Sequence, residues 1–498
     1  METYVRMNEM ITALLPILTP IFMGAVLLFV KEPKDRKPVL VYTGTGLVLT
    51  GIFVVMALFS DTREIELFRL TDRLPIMLKA DGLGKLFMAV AALVWILAGF
   101  FSFSYMKHEK NEKRYFGFYL ITLGVLSGLG QSGNLVTMYG FFELVAISSF
   151  PLVIHNQSKE AVMAGLKYLF YSFFGSYMAL FGLFFLLRYT DTITFTSGGT
   201  LNGELAVANQ SLLLLIAGLM ILGFSVKAGM FPLHAWLPTA HPVAPAPASA
   251  VLSGVIVKCG ILVILRVVFY LFGAEFLRGT WVQTVFLILS LLTVFMGSML
   301  AFREDVLKKR LAYSTVSQLS YILFGIALLN PVSLTGALFH LIAHAFIKSA
   351  LFLCAGAVIF RTEITKVSDL KGIGKRMPVT VWCFTIVSLG LIGIPPMGGF
   401  ISKWYLALGA LDSGIGVFRY LGPAILLVSA LLTAGYLLPV TIKGFFPGED
   451  YDYKNLKKCE GDGLMAVPLI ILAALSVIIG IFPNMILDTI NGIIGSLM

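Results

Sequence analysis

Residues 211–250 read SLLLLIAGLMILGFSVKAGMFPLHAWLPTAHPVAPAPASA, and this stretch decides the fold. Its first half is apolar and about as long as a helix that crosses the hydrocarbon core of a bilayer. Beyond Lys227 the chain runs through several prolines, beginning with Pro232, and a regular helix cannot persist there. We therefore predict a membrane-spanning helix that is broken next to a buried lysine.

A second segment repeats this pattern at 381–411, which reads VWCFTIVSLGLIGIPPMGGFISKWYLALGAL. Pro395, Pro396 and Gly398 interrupt it, and Lys403 follows the interruption. Interrupted helices at corresponding positions of two halves are typical of inverted-repeat transporters, whose ion site lies at the breaks. The alternative is that the prolines only kink the helices for packing, but packing does not require a lysine beside each break. We favour the interpretation as a transporter.

The whole chain has the composition of a membrane protein. Of its 498 residues, 58% are hydrophobic and only 13% are charged, a balance that no water-soluble protein of this size needs. The spanning elements must be helices, because lipid offers no water to satisfy an exposed backbone. We predict an all-α integral membrane protein with about 14 transmembrane helices, of which the seventh and twelfth are broken. The apolar runs begin near residues 11, 39, 83, 116, 134, 164, 211, 249, 281, 311, 334, 379, 418 and 464.

The two broken helices divide the chain into four parts. Spans 4–8 and spans 9–13 are predicted to form two inverted five-helix repeats, because the breaks lie five spans apart. The parts are an N-terminal three-helix segment (1–115), a first half-channel (116–272), an inverted second half-channel (281–440), and a loop with the C-terminal span (441–498).

The net charge of +10 is explained by membrane topology rather than by nucleic-acid binding. If both termini lie outside, the six interior loops hold 22 of the 37 Lys and Arg residues. This excess matches the tendency of cytoplasmic loops to be positively charged. We predict a multi-pass protein of the cell membrane with both termini outside.

No motif for bond chemistry is evident in the sequence. Phosphate loops, dinucleotide-binding fingerprints, nucleophile elbows and haem-ligating pairs are all missing. The cysteines lack the CxxC spacing of a metal or iron–sulfur site, and they do not indicate a disulfide framework. We expect no cofactor, no metal and no catalytic residue on this chain. The cysteines are Cys259, Cys354, Cys383 and Cys459.

Seven ionisable residues fall inside the predicted spans, where each charge costs several kcal/mol unless it faces protein or water. Glu143 is the only acid among them. Lys167 and Arg266 lie near helix ends, so we expect their side chains to reach the membrane surface. The run Lys308 to Arg310 is interpreted as loop charge. The remaining residues mark a path for ions: Glu143, Lys227, Lys258, Lys348 and Lys403.

Glu143 and Lys227 are predicted to be partners. Burial of a carboxyl raises its pKa and a nearby cation lowers it, so the charge of Glu143 depends on its distance from the lysine. Protonation of either residue would weaken the pair, which could therefore act as a switch. A permanent structural ion pair is the alternative, although buried pairs contribute little to stability.

His340, His344 and Lys348 lie four residues apart on one helical face. Histidine titrates near neutral pH, so this stripe suits a proton wire. We expect neutral His344 to bridge Lys258 and Lys348 through water, and Lys403 to exchange protons with the exterior. Core histidines or a metal site are the alternatives, but the stripe offers no third type of metal ligand.

Five segments stand out as motifs: KAGMFPLHAWLPTAHPVAPAPASA (227–250), LSGVIVKCG (252–260), LAYSTVSQLSY (311–321), HLIAHAFIKSALFL (340–353) and GIPPMGGFISKWY (393–405). Together with Glu143 they resemble the antiporter-like subunits shared by respiratory complex I, Mrp-type sodium/proton antiporters and energy-converting membrane-bound hydrogenases. The resemblance covers nearly the whole chain. This chain has a lysine at 403 and no long lateral helix after span 14. Within the family it therefore looks most like the D-type Mrp subunit or its hydrogenase counterpart.

The resemblance implies 14 helices, two inverted half-channels and a central hydrophilic axis of Glu143, Lys227, Lys258, the His/Lys stripe and Lys403. It also implies proton translocation, with possible coupling to sodium, beside other membrane subunits and a redox or antiporter module. Sodium could instead cross a partner subunit, because a lysine-rich path carries protons more naturally. An independent solute carrier and a quinone-reactive redox subunit are the less favoured interpretations.

Overall fold

The chain is described by a computed structural model over residues 2–31, 33, 35–60, 64–449, 451–452 and 457–498. It is mostly helical, and the described residues contain 11 helices that are long and apolar enough to cross a membrane. A helical multi-pass membrane protein was predicted, and this is confirmed.

The N-terminal part contains helices and a hairpin. The sequence predicted three helices here, and α1 (Glu2–Phe29), α2 (Lys37–Leu58) and α3 (Gly82–Tyr105) match them. The antiparallel strands β1 (Ile65–Thr71) and β2 (Leu74–Leu78) were not foreseen.

The next helices form the first bundle. The α4 helix packs on α1, and α6 packs on both α5 and α8. Only α9 and α7 are too short to cross a membrane. The bounds are α4 (Glu112–Gly130), α5 (Leu135–Val153), α6 (Lys159–Tyr189), α7 (Gly203–Ala208), α8 (Gln210–Ala228) and α9 (Leu237–Val243).

The following span is not a regular helix, which corrects the expectation of an ordinary eighth span. Two π-helical segments, Leu252–Ile256 and Arg266–Phe272, interrupt it. Wide π turns often occur at functional sites, and the first of these two lies directly before Lys258. The helical pieces are α10 (Ala246–Val251), α11 (Lys258–Leu265) and the short α12 (Ala274–Leu277).

The second bundle is built around a long central helix, α15 (Pro331–Thr362), which is buried along most of its length. It packs against α10, α14, α17 and α18, so it joins the two bundles. The other helices are α13 (Trp281–Arg303), α14 (Leu307–Ala327), α16 (Ile373–Arg376), α17 (Pro378–Ile392), α18 (Gly398–Asp412), α19 (Phe418–Phe445) and α20 (Gly463–Ile481). A last helix, α21 (Asn484–Gly495), follows the predicted final span.

A helix ends at each of the two predicted interruptions. The α8 helix ends at Ala228, and Gly229 has a φ of +74°. The α17 helix ends at Ile392, and Gly393 has a φ of +91°. Side chains with a Cβ rarely adopt this left-handed conformation, so glycine is what allows the chain to turn out of each helix.

Candidate functional site

Three lysines are almost completely buried in the centre of the molecule. Lys227, Lys258 and Lys348 have 1%, 1% and 0% of their surface exposed. A buried ammonium must donate hydrogen bonds to neighbouring oxygen or nitrogen atoms, because no water replaces them in lipid. The partners of each lysine therefore define the site.

Lys227 occupies the last turn of α8, directly before the first break. Its ammonium donates to the Tyr168 hydroxyl at 2.7 Å and to Ser172 at 3.4 Å, both on α6. It also lies 4.5 Å from the centre of the Tyr168 ring, which adds a cation–π contact. These α6 side chains hold Lys227 in place.

The predicted ion pair between Glu143 and Lys227 is wrong. Glu143 lies on α5, and no pair between the two residues occurs among the ion pairs of the described chain. The physical reason is that the hydroxyls of α6 already take the lysine. Oε1 of Glu143 is buried and has no hydrogen-bond partner within the described residues.

Lys258 contacts His344 directly. Its Nζ lies 2.9 Å from Nδ1 of His344, and it donates to the carbonyl of Ser253 at 2.9 Å. The carbonyl belongs to the first π-helical segment, so the wide turn supplies an acceptor for the lysine. The expected water between Lys258 and His344 is therefore not needed.

The Lys258–His344 contact links the charge of the lysine to the tautomer of the imidazole. When Lys258 is charged, its ammonium can only donate, so Nδ1 accepts and the ring is then neutral with its proton on Nε2. That Nε2 atom is buried without a partner in the described part of the chain. A neutral ring with one unpartnered nitrogen can pass a proton onward once an acceptor or a water approaches.

Lys348 has its direct hydrogen-bond partners on α14, and the expected bridge from His344 to Lys348 through water stays a prediction. Its ammonium donates to Ser314 at 2.7 Å and to the carbonyl of Leu311 at 3.0 Å, both on α14. The Ser314 hydroxyl lies 2.6 Å from the hydroxyl of Tyr436 on α19. Sequence reasoning missed both hydroxyl residues, because serine and tyrosine are common in helices and carry no distinctive spacing.

His340 and Lys403 both contact the ring of Tyr321. Nδ1 of His340 lies 2.8 Å from the hydroxyl of Ser402, and its ring stacks on Tyr321 with centres 5.5 Å apart. The Lys403 ammonium lies 5.1 Å from the centre of the same tyrosine ring. The His340 and His344 rings are 5.9 Å apart, so the stripe continues from Lys258 to the second break.

Lys403 is held by the break itself. Its ammonium donates to the carbonyls of Leu391 at 2.7 Å and Ile392 at 2.9 Å, which end α17. The last carbonyls of a helix lack partners within the helix and carry its partial negative charge. The broken helix thus supplies the acceptors that a lysine needs in lipid.

Arg266 was predicted to reach outward from a helix end, but its side chain is buried within the protein, with 3% of its surface exposed. Its guanidinium pairs with the carboxylate of Asp81, which caps α3, and one of the two hydrogen bonds measures 2.6 Å. Tyr270 donates to the same carboxylate at 3.0 Å. Burial alone would raise the pKa of Asp81, but the charge and hydrogen bonds of Arg266 outweigh it and hold the pKa below its ordinary value.

Two of the three residues in the basic run at the start of α14, Lys308 and Arg310, are also not loop charge. Lys308 is buried and donates to the carbonyls of Pro242 and Ala244, which follow the first break. Arg310 is buried and donates to the carbonyl of Tyr436 at 2.8 Å. Both side chains therefore satisfy backbone oxygens of other helices. Lys167, by contrast, is only half-buried beside Tyr171, in keeping with its position near a helix end.

Within the described ranges, no group of three or more His, Cys, Asp or Glu side chains could hold a metal ion. The four cysteines are free thiols. The chemistry that the site offers is the movement of protons among amines, imidazoles, hydroxyls and one carboxyl.

Comparison with known proteins identifies relatives of this arrangement. Residues 132–433 match the family model described as NADH:quinone oxidoreductase/Mrp antiporter, TM. Residues 71–116 match the model for the N-terminus of complex I chain 5.

Individual relatives match over most of their length. The chain is 29% identical to the D-type subunit of the Na(+)/H(+) antiporter of Alkalihalophilus pseudofirmus over 95% of this chain and 94% of the relative. It is 30% identical to the N-type subunit of the NADH-quinone oxidoreductase of Desulforudis audaxviator over 81% and 80%. Among solved structures, a chain of the Mrp complex from Dietzia sp. DQ12-45-1b matches 98% of this chain and 97% of its own length with a TM-score of 0.86 and 22% identity.

Proposed function

The chain belongs to the NADH:quinone oxidoreductase/Mrp antiporter family, and from this premise we propose that it translocates protons as one subunit of a multi-subunit membrane complex. Its path is the buried axis, which we define as Glu143, Lys227, Lys258, His340, His344, Lys348 and Lys403. The helix breaks at Pro232, Pro395, Pro396 and Gly398 place lysines at both ends of this axis.

The observation that carries the proposal is the direct contact between Lys258 and His344. A lysine with a neutral imidazole as its acceptor can hand over a proton without an intervening carboxylate. From His344 the stripe leads to His340, Tyr321 and Lys403, with distances to the ring centres of 5.9, 5.5 and 5.1 Å in turn. Because each ammonium repels the next, arrival of a proton at one lysine favours its departure from another.

The same arrangement supports 14 spans. The count consists of the 11 apolar helices and three further spans that are shorter or more polar. These three are α4, α14 and the interrupted pair α17/α18. The first repeat is α4 to the second π segment, and the second is α13 to α19; the break occupies the fourth span of each. An offset of five spans makes the two repeats inverted.

These repeats correspond to the predicted parts 116–272 and 281–440, between the segments 1–115 and 441–498. An even number of spans puts both termini on one face. We propose that the basic loops face the cytoplasm, so that both termini lie outside, and that the membrane is the cell membrane.

The proton is favoured over sodium as the ion on this chain. A sodium site needs several oxygen ligands, whereas the charged groups of the axis are mainly amines and imidazoles. We propose that any sodium exchange, and any redox chemistry with its cofactors, takes place in partner subunits. The second candidate is a subunit of a redox-driven pump, which the similarity to the NADH-quinone oxidoreductase relative favours.

The test is ion flux in proteoliposomes that contain the purified complex. Proton and sodium fluxes are compared between wild type, Lys258→Ala and the control Lys167→Ala, whose lysine lies outside the axis. We expect proton flux to collapse in Lys258→Ala and to persist in the control. If Lys258→Ala assembles normally and conducts like wild type, the buried axis is not the path.

A further inference from the structure

A cavity of about 160 Å³ lies between the end of α3, the turn after α9 and the start of α14. In the proposed topology these three segments are at the inner face. None of the residues around the cavity belongs to the buried axis. Its lining includes Tyr105, Glu109, Asn156, Ala244 and Lys308.

Two ionisable side chains line this cavity. Lys308 is 7% exposed, and its ammonium is held by peptide carbonyls rather than by a carboxylate within ion-pair distance in the described chain. Glu109 is half-buried in the loop before α4. Burial raises the pKa of the Glu109 carboxyl above its ordinary value, although the charge of Lys308 opposes the rise. A carboxyl of this kind can take up and release protons closer to neutral pH.

His241 is next to the carbonyl that Lys308 holds, and it is buried deeper. It is 1% exposed, and its ring stacks on Phe352 with centres 4.6 Å apart. Neither ring nitrogen has a hydrogen-bond partner among the described residues. A neutral imidazole always carries one donor and one acceptor, so an orphaned, buried ring calls for a water or a functional explanation.

His241 also faces the buried axis. Phe352 follows Lys348 by four residues on α15, so the two side chains lie on one face of that helix. On its other side along the chain, His241 directly precedes Pro242, whose carbonyl accepts from Lys308. The histidine is thus placed between a lysine of the cavity and a lysine of the axis.

We propose that His241 shuttles protons between this inner cavity and Lys348. The inference rests on the proposed function, because it requires a proton path at Lys348. A proton from water or Glu109 in the cavity binds one nitrogen of the neutral ring and gives an imidazolium. The other nitrogen then releases its proton toward an uncharged Lys348, which becomes an ammonium, and the ring is neutral again. A charged Lys348 repels the imidazolium, so His241 takes up a proton only when Lys348 is uncharged.

The test uses the whole complex in proteoliposomes. His241→Phe keeps the stacking on Phe352 and removes both nitrogens, so proton flux should fall at least about tenfold, as for loss of a proton-transferring group. His155→Phe is the matched control, because His155 is a buried histidine in the loop after α5 whose ring contacts Tyr115 on α4 rather than Phe352 on the helix of Lys348. The control should stay near wild type.

Chemical rescue separates a proton shuttle from a packing role. In His241→Ala, added imidazole should restore flux, whereas pyrrole, a ring of the same size without a basic nitrogen, should not. If His241→Phe conducts normally while Lys258→Ala does not, the shuttle is refuted and the proposed function stands. If both variants conduct normally, the proposed function itself fails. Loss of flux that imidazole cannot rescue assigns His241 a structural role and overturns the proposal.

The sidedness of the cavity gives a second measurement. In a Cys459→Ser background, Asn156→Cys places a thiol at the exposed edge of the cavity. A bulky, membrane-impermeant thiol reagent should block proton flux when it is applied at the inner face. Full modification without a change in flux would rule out this cavity as the entrance.

Discussion

At the scale of single residues, the axis depends on lysine as a proton carrier rather than as a fixed charge. Lysine can lose its proton when it is desolvated, whereas the guanidinium of arginine stays protonated in proteins. The contact between Lys258 and His344 is useful only if the proton can leave.

Lys258→Arg should therefore abolish proton flux although it keeps the positive charge. The measurement is flux in proteoliposomes together with the yield of assembled complex, and Lys167→Arg is the control outside the axis. A conducting Lys258→Arg complex would mean that the residue provides a static field and does not carry the proton.

Asp81 and Arg266 form the clearest structural ion pair of the interior. Arg266→Met leaves the Asp81 carboxylate buried without its partner, and loss of one member of a buried pair costs about 3–5 kcal/mol. The double variant Asp81→Asn/Arg266→Met should recover most of that loss. Thermal unfolding of the detergent-purified complex measures both effects. If the single variant is as stable as wild type, the pair contributes nothing to the fold.

The pH dependence of this pair has a defined sign. Because the folded-state pKa of Asp81 is lowered from 3.8, its stabilising contribution is fully present above that value and is lost as the pH falls through the folded-state pKa. The stability difference between wild type and Asp81→Asn should hence be constant from about pH 5 to pH 8.

The sequence predicts which side chains are charged in lipid, but not what they contact. Lys227 and Lys403 stand out because they interrupt apolar runs. Their acceptors are Tyr168 on α6 and the carbonyls that end α17, and neither has a sequence signature. Arg266 was misplaced for the same reason, since Asp81 is 185 residues away and lies outside any span.

At the scale of elements, the two breaks hold their lysines in different ways. The first break presents Lys227 to the hydroxyls of α6, and the second gives Lys403 the final carbonyls of α17. Glycine and proline in the sequence predict both interruptions, because the backbone conformations that these residues favour depend on the residue itself and not on distant contacts. The π-helical segments around α11 were not predictable, since nothing in an apolar run of ordinary residues marks a wide turn.

Gly393→Ala tests whether the second break positions Lys403. A Cβ at this position would lie 2.9 Å from Cδ of Lys403, and the φ of +91° adds strain of about 1–2 kcal/mol. We expect proton flux to drop as the lysine is displaced from its carbonyls. Gly414→Ala is the matched control, because Gly414 has a φ of +66° and open space around it.

Comparison of the two variants by flux and by thermal unfolding separates strain from displacement. Both variants should unfold at a lower temperature than wild type. Only Gly393→Ala should also have a lower proton flux per assembled complex. Equal flux in the two variants would show that the position of Lys403 does not matter for transport.

At the scale of the whole molecule, the inverted repeats require α14 to cross the membrane. Length and hydropathy alone do not select this helix, whose first turn carries Lys308, Lys309 and Arg310. Two of these basic residues are satisfied by peptide carbonyls, so their cost in lipid is reduced. Composition alone therefore underestimates the tendency of a helix to cross the membrane when its charged side chains have partners elsewhere in the fold.

Two variants, each with one introduced cysteine, test the number of membrane spans directly. Thr196→Cys and Lys371→Cys both lie in exposed loops, and the proposed topology places five spans between them, including α14. In a Cys459→Ser background, an impermeant maleimide should label residue 196 only from outside and residue 371 only from inside. If α14 does not cross, four spans remain and both cysteines react from one face. The two halves would then not be inverted copies, and Lys258 and Lys403 could not belong to half-channels that open to opposite sides of the membrane.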